Sequence, residues 1–480
     1  MKKFSRFILM MAIACVAAFI FTGNGLNAKA AEETYLIGTD TTFAPFEFEK
    51  DGEHVGIDMD ILKAIAKDQN FKYEIKAMGF NAAVQALEAN QVDGVIAGMS
   101  ITDERKQKFD FSDPYFDSGV VMGILKDNDE IKTYDDLKGK KVAVKTGTEG
   151  YAFAEKIKDK YDFDIVVFDD SAQMYDDVKT RNSVACFDDY PVLAYGVQTG
   201  NGLKIVTEKE KGNSYGFAVN KGKNQELLEK FNAGLVNIKA SGEYEKILKN
   251  YLGKNAIKEN TTEKGFMGII KSSWPALLSG LWLTIRLAVV SLIIAFIIGI
   301  TFGFMKVSNS KILRGIATVY VDIFRGTPLI VQAFFFYFGI PAALDFRMPV
   351  FLAGVIALSL NAGAYMVEIV RGGIQSVDKG QMEAARSLGL PHKKAMMKVV
   401  LPQAIRMMIP SFINQFVITL KDTSIMSAIG LVELTQSGKI IMARTFESTW
   451  TWLIIGIMYL IVITILTKIS DRLERRLRND

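Results

Sequence analysis

Hydrophobic and polar positions divide the chain into three zones. Phe7 to Phe21 is a short apolar run behind a basic start made by Lys2, Lys3 and Arg6. From Glu32 to about Gly253, short β-branched runs alternate with amphipathic stretches. Long apolar stretches fill the remainder. In the middle zone the strand-like runs are Tyr35–Gly38, Val92–Ala97, Lys141–Val144, Asp164–Val167 and Ser183–Phe187. The helical runs are Asp58–Asp68, Ala82–Ala89, Tyr151–Lys160 and Gln225–Ala240. Strands alternating with helices predict an α/β fold with mostly parallel sheets. Roughly 220 residues make either one large domain or two small lobes.

The first apolar run is shorter than the ~18 residues of a spanning helix. Gly23-Asn24-Gly25 break it, and Ala28-Lys29-Ala30 offers a small-x-small cleavage site, so residues 1–30 read as an export signal. Cleavage there removes Cys15 and leaves Cys186 alone, which permits no internal disulfide.

The later apolar stretches are Leu281–Met305, Ile316–Ile340, Val350–Val370, Ile409–Val432 and Trp450–Thr467. Each is long enough, or nearly so, to cross a hydrocarbon core ~30 Å thick. Basic residues follow the first (Lys306, Lys311, Arg314), the third (Arg371 to Arg406) and the fifth (Lys468 to Arg478). The positive-inside rule puts those segments in the cytoplasm. Five spans then leave the N-terminal end outside and the C-terminus inside, as an export signal also demands. Polar Lys254 to Lys264 suits a linker. Charges within spans are costly and mark function or interfaces. Arg286, Asp322, Arg325, Glu368, Lys421 and Asp422 qualify, and Glu368 and Lys421 are the candidates for a membrane pathway.

Composition narrows the chemistry. Lys and Arg total 57 against 53 Asp and Glu, a net +4 that argues against a nucleic-acid coat. Hydrophobic residues make up 49 %, which fits a chain part soluble and part membrane-embedded. The two histidines, His54 and His392, lie far apart without metal-ligand spacing. No G-x-x-x-x-G-K-[ST] run exists, so ATP hydrolysis would have to come from another polypeptide.

Past the third stretch the chain reads Glu383-Ala384-Ala385, then Gly389, then Leu401-Pro402. This resembles the EAA loop of ABC importer permeases, where a cytoplasmic helix docks into the ATPase subunit. Arg325-Gly326-Thr327-Pro328, Asn361 to Tyr365 and Gly380-Gln381 resemble the polar amino-acid branch of that family. The soluble half is similar to bilobal amino-acid-binding proteins in Thr39-Asp40-Thr41 through Phe46, Gly56-Ile57-Asp58, Gly98 to Arg105, Val142 to Thr148 and Asp189-Tyr190-Pro191. Together the halves resemble glutamine transporters of Gram-positive bacteria with a binding protein fused to its permease.

The resemblance implies a type II periplasmic-binding-protein-like α/β domain over residues 31–253, followed by an all-α permease of five transmembrane helices. Lobe one would cover about 35–119 and 216–253, and lobe two about 120–215. A linker over 254–269 would lead to the permease at 270–480, with the EAA loop at about 371–408. The implied partners are an amino acid, a separate ABC ATPase subunit that uses ATP-Mg, a second permease copy and the lipid bilayer. No cofactor is expected in this chain. The binding domain would face outward from the cell membrane.

An amino acid brings a carboxylate, an ammonium and a side chain, and burying any charge unpaired is expensive. Arg105 is the natural carboxylate clamp, because its fork pairs two oxygens at once. Ser100 and Thr102 supply hydroxyls there, Thr102 can cap the helix after it, and the amides of Thr148 and Glu149 add donors. The resemblance assigns the ammonium to Asp189; physics alone leaves neighbouring Asp188 open for that role or for tuning the local charge, with solvation the expected case for a lone carboxylate. It also lines the pocket with Asp40, Phe43, Phe80, Gly98 and Lys145, the two phenylalanines holding the ligand's stem. One acceptor, Asp40, and one donor, Lys145, suit a side-chain amide. Lys145 opposes a cationic ligand, while glutamate, asparagine or another amino acid remains open in place of glutamine. A ligand-gated channel would have pore segments interrupting the bilobal domain, a dehydratase would leave the EAA loop without a role, and a sensor would need a cytoplasmic effector domain.

Overall fold

The computed structural model describes residues 34–50, 52–252 and 265–479. The export signal, Cys15 and most of the linker lie outside them.

The soluble half has fourteen strands: β1 (Thr34–Thr39), β2 (Thr42–Phe43), β3 (Glu47–Lys50), β4 (Glu53–Val55), β5 (Lys72–Ala77), β6 (Gly94–Val95), β7 (Phe109–Phe111), β8 (Phe116–Leu125), β9 (Lys141–Lys145), β10 (Asp164–Phe168), β11 (Ala185–Asp189), β12 (Leu203–Ile205), β13 (Glu210–Tyr215) and β14 (Ala218–Asn220). One sheet runs β5-β1-β6-β14-β7. The second runs β10-β9-β11-β8-β12, with β13 also paired to β8. β1 pairs in parallel with β5 and β6, and β9 in parallel with β10 and β11. Helices cover these parallel strands, and buried Ile37, Val142 and Val144 show the apolar cores that result. The chain leaves the first sheet between β7 and β8 and returns between β13 and β14. Two lobes therefore meet at a two-stranded crossing.

Helices α1 (Ile57–Asp68), α2 (Phe80–Glu88), α3 (Asp103–Lys106), α4 (Glu149–Tyr161), α5 (Ser171–Lys179) and α6 (Gln225–Ala240) pack on these sheets. α1 carries Asp58 and Asp60 in its first turn and Lys67 in its last, matching the helix dipole at both ends.

The second half is helical: α7 (Gly265–Lys306), α8 (Lys311–Gly326), α9 (Val350–Gln375), α10 (Lys379–Ser387), α11 (Leu401–Asp422), α12 (Leu434–Thr445) and α13 (Ser448–Asn479). Among the described residues, four helical segments are long and apolar enough to cross a membrane, or five if one bent pair counts as a span. That pair, Lys311–Gly326 and Leu329–Leu344, bends by 102°. The stretch Ile316–Ile340, expected as one of five spans, is thus bent within its length, and the span count stands at four or five among the described residues. Pro328 lacks an N–H and disfavours helical geometry at Thr327, so the helix stops there. The freed Phe324 carbonyl is taken up by Gln332 Nε2 at 2.9 Å and by Asn361 Nδ2 at 3.0 Å. The first membrane helix also begins at Gly265, inside the stretch read as linker.

α7 and α9 approach closely through small residues, as membrane helices do. A Cβ at Gly299 would collide with Met366, and one at Gly303 with Val370.

Candidate functional site

A cavity of about 10 Å³, room for about one water, lies between the closed lobes. Phe43, Phe80, Gly98 and Ser100 line it from lobe one, with Arg105. Lys145, Thr148 and Asp189 line it from lobe two. Asp40 sits directly behind this lining, bonded to Lys145. All nine residues expected at the pocket thus come together, from segments up to 149 positions apart in sequence. (Asp40 and Asp189 are the extremes.)

Arg105 is placed by a capped turn: Thr102 Oγ1 accepts from the Arg105 amide at 3.2 Å. Its guanidinium donates to the Ser100 carbonyl at 2.9 Å and to the Gly147 carbonyl across the cleft. It also lies over the Phe80 ring, 5.3 Å from the centroid. Five N–H donors in one fork leave three for an incoming carboxylate. Burial lowers its pKa from the ordinary value, opposed by Glu149 and Asp189. Thr148 caps α4, and its hydroxyl is already engaged, donating to the Lys145 carbonyl at 2.7 Å.

Asp189 ends β11 and is almost fully buried. Its Oδ2 accepts from the Tyr215 hydroxyl. Its Oδ1 is buried without a hydrogen-bond partner among the described residues. Burial, then the neighbouring Asp188, pushes its pKa up to about 8. A buried carboxylate oxygen lacking a donor, beside an arginine fork, is a ready site for a group that brings N–H donors and positive charge.

Asp188 is not solvated, contrary to expectation. It is fully buried in the central strand of its sheet. The Tyr175 hydroxyl donates to its Oδ2, and the Asp189 amide donates to its Oδ1 at 2.9 Å. It is a structural group whose charge bears on Asp189 from behind.

Asp40 and Lys145 form a buried ion pair at 2.7 Å that joins the lobes. Asp40 Oδ1 is saturated by the Thr41 amide, the Thr42 amide and the Thr42 hydroxyl. Its Oδ2 holds Lys145 and keeps one further lone pair. Burial works against the Lys145 cation, yet the Asp40 carboxylate outweighs it and raises the lysine pKa. The ammonium lies 4.8 Å from the Phe43 centroid and 5.8 Å from that of Phe80, so the aromatic pair also faces a cation.

Three residues went unrecognised in the sequence. Tyr215 orients Asp189, and nothing local marks it. Tyr115 and Asp58 hold the pocket loop: Asp58 Oδ2 accepts from the Gly98 amide and from the Tyr115 hydroxyl, both at 2.8 Å. Asp58 lay within a quoted motif, but its reach to Gly98 is a tertiary fact. Gly98 has φ +53, and a Cβ there would meet the Phe43 ring, so only glycine fits.

The run Gly212-Asn213-Ser214-Tyr215-Gly216 has the spacing of a hydrolase nucleophile elbow. Ser214 lies in β13 instead of a strand-to-helix turn, and its hydroxyl donates to Asp117 at 2.6 Å. It has none of that motif's geometry.

On the opposite side of the membrane half, α10 exposes Glu383 and Ala384 and buries Ala385. Gly389 ends it with φ +84, the left-handed C′ glycine. Leu388 beside it is 85 % exposed. Glu368 is held between Lys306 and Arg371. Lys421 is exposed, Arg286 stacks on Phe351, and Arg325 stacks on Tyr365.

Residues 35–254 match the bacterial extracellular solute-binding proteins, family 3. Residues 295–479 match the inner membrane component of binding-protein-dependent transport systems. The arginine transport system permease protein ArtQ of Bacillus subtilis is 39 % identical over 206 residues, which is 43 % of this chain and 94 % of ArtQ. The chain belongs to the amino-acid ABC importers. It joins a solute-binding domain to a permease domain in one polypeptide. The glutamine transport system permease protein GlnP of Escherichia coli K12 is equally similar, 39 % identical over 209 residues, covering 43 % of this chain and 95 % of GlnP. The solved second substrate-binding domain of Lactococcus lactis GlnP is 39 % identical, covers 47 % of this chain and 98 % of that one, and superposes with a TM-score of 0.37. The family matches and the permease relatives make the chain a transporter component.

Proposed function

We propose that this importer takes up glutamine, with the cleft of Arg105, Asp189, Asp40 and Lys145 as its solute site. The observation that carries the reading is the charge arrangement in one small cavity. Arg105 offers spare donors for an α-carboxylate. The unpaired Oδ1 of Asp189 offers an acceptor for an α-ammonium. The Asp40–Lys145 pair keeps one acceptor position and two N–H donors, which match the two ends of a carboxamide. Phe43 and Phe80 border the stem between them, and Gly98 and Ser100 add backbone and hydroxyl contacts.

The relatives include both a glutamine and an arginine permease, so they do not choose between these solutes. The buried Lys145 cation supports glutamine, because a guanidinium beside it would be repelled in a low dielectric. A glutamate side chain could pair with Lys145 but would face Asp40, which disfavours it.

Glutamine captured outside draws the lobes together, since it touches both and gains affinity only in the closed form. The closed domain passes it to the permease. A separate ATPase subunit supplies ATP hydrolysis through Glu383, Ala384, Ala385 and Gly389. Two permease copies pair in the membrane, with the binding domains extracellular and the C-termini cytoplasmic. Glu368 and Lys421 are assigned to the membrane pathway on their charge alone. Uptake of labelled glutamine by vesicles carrying the chain and its ATPase subunit tests this reading. Uptake of arginine in preference to glutamine would overturn it.

A further inference from the structure

Glu47, a buried acid in lobe one, has no role in the site described above. It opens β3, and Asp58 stands in the first turn of α1. The two segments are latched together. The Asp58 amide donates to the Phe46 carbonyl and the Ile57 amide to the Pro45 carbonyl, both at 2.9 Å. Gly56 between them has φ +136, and a Cβ there would strike the Phe46 carbonyl, so the close approach requires glycine. This latch brings the Glu47 and Asp58 carboxyls within hydrogen-bonding reach of one another. Glu47 is 1 % exposed, and Asp58 is fully buried.

Donors are shared unevenly between the two. Asp58 Oδ2 takes the Gly98 amide and the Tyr115 hydroxyl. Asp58 Oδ1 and both oxygens of Glu47 receive no N–H or hydroxyl among the described residues. Two ionised carboxylates side by side in a dry interior repel strongly and lack solvation. One proton between them removes both penalties. The charge belongs on Asp58, where two donors stabilise it. The proton belongs on Glu47, whose O–H then supplies the donor that Asp58 Oδ1 lacks. The surroundings act in the same sense. Burial, then Asp58, then the Asp40 carboxylate raise the Glu47 pKa well above its ordinary value, against the pull of Lys145. Burial raises Asp58 only to about 6, because the bonds from Gly98, Tyr115 and Glu47 oppose it.

Asp58 in turn fixes the cleft. Gly98 lines the cavity. Tyr115 stands just before β8, at the crossing between the lobes, and its amide donates to the Tyr215 carbonyl at 2.9 Å. One oxygen of Asp58 therefore holds the rim of the cleft and the crossing strands together.

We propose that Glu47 is a positioning residue of the solute site, a buried acid that keeps its proton and hydrogen-bonds through it to Asp58, so that Asp58 holds Gly98 and Tyr115 in place. This rests on the importer reading given above and adds to it a residue behind the cavity lining.

The test uses the full chain in nanodiscs at neutral pH. Infrared difference spectra of the unsubstituted chain against Glu47→Gln are expected to show one protonated-carboxyl C=O stretch that the variant lacks, with or without glutamine present. Isothermal titration of the same samples reads glutamine affinity. Glu47→Leu has similar bulk and no donor, so it leaves Asp58 Oδ1 unpaired and is expected to weaken binding by about tenfold or more. Glu47→Gln offers an N–H in place of the O–H and is expected to recover affinity to within about threefold of the parent. A spectrum unchanged by Glu47→Gln would overturn the proposal, because the proton would then lie elsewhere. Parental affinity in Glu47→Leu would overturn it too, as would a glutamine variant as weak as the leucine one. Should Glu47→Leu fail to fold, the infrared comparison decides alone. If the unsubstituted chain binds no amino acid, the importer reading itself fails, and the infrared band still decides where the proton lies.

Discussion

Replacing Lys145 with methionine would strip the cleft of the cation that joins its lobes. Methionine keeps much of the length and can fill the slot between Phe43 and Phe80, so loss of volume contributes little. What remains is Asp40, buried at 1 % exposure, with its partner gone from 2.7 Å. Removing one member of a buried pair costs about 3–5 kcal/mol, because the other charge is left uncompensated. The cost falls on the closed form, where the lobes meet, far more than on an open form whose cleft admits water. Closure and binding are linked, so glutamine affinity should fall by roughly 10² to 4 × 10³, at about 1.4 kcal/mol per tenfold. A cationic side chain could then occupy the place of Lys145, so arginine should gain affinity as glutamine loses it. Isothermal titration of the full-length chain in nanodiscs with both amino acids reads this directly. Glutamine affinity within threefold of the parent, with no gain for arginine, would refute the argument that this pair sets both closure and selectivity.

Further outcomes follow from the same geometry. The free Asp189 carboxyl, raised to about 8 chiefly by burial, is mostly protonated at neutral pH, whereas an ammonium needs it ionised. Glutamine binding at pH 7 should therefore release a proton, and affinity should climb as pH rises towards 8, by at most about tenfold per unit. Titrations in buffers of different ionisation enthalpy check this, and zero proton release would contradict it. Gly98→Ala should weaken binding at least tenfold, since the left-handed backbone costs about 1–2 kcal/mol and the added methyl meets Phe43. Gly389→Val should leave glutamine affinity unchanged and lower coupled ATP hydrolysis at least fivefold, because the left-handed end of α10 cannot accept a β-branched residue. Loss of affinity in that variant would show that it harms more than the coupling helix.

The alternation of strands and helices around β1, α1, β9 and α4 was plain in the sequence because each element is long and apolar on its buried face. The short strand β6 was read as a longer run over Val92–Ala97. Gln91 and Asp93 there turn instead to side-chain bonds with the membrane domain. The bend at Thr327-Pro328 was hidden by hydropathy, which measures apolarity and not continuity of hydrogen bonding. Arg105, Lys145 and Asp189 could be named from motifs, since each stands in a recognisable local run. Tyr215, and the reach of Asp58 and Tyr115 to Gly98, could not be named, because their roles exist only once distant strands are adjacent. Asp188 was misjudged for a related reason: a carboxylate is usually solvated, but β11 is the middle strand of its sheet and Tyr175 closes over it.

The most direct measurement is isothermal titration of the full-length chain in nanodiscs against the twenty amino acids, repeated with Arg105→Ala and Asp189→Ala. The account predicts saturable binding of glutamine, weakened at least a hundredfold by either substitution, and no binding of arginine or lysine. Tight binding of a basic amino acid, or glutamine binding that survives both substitutions, would contradict it.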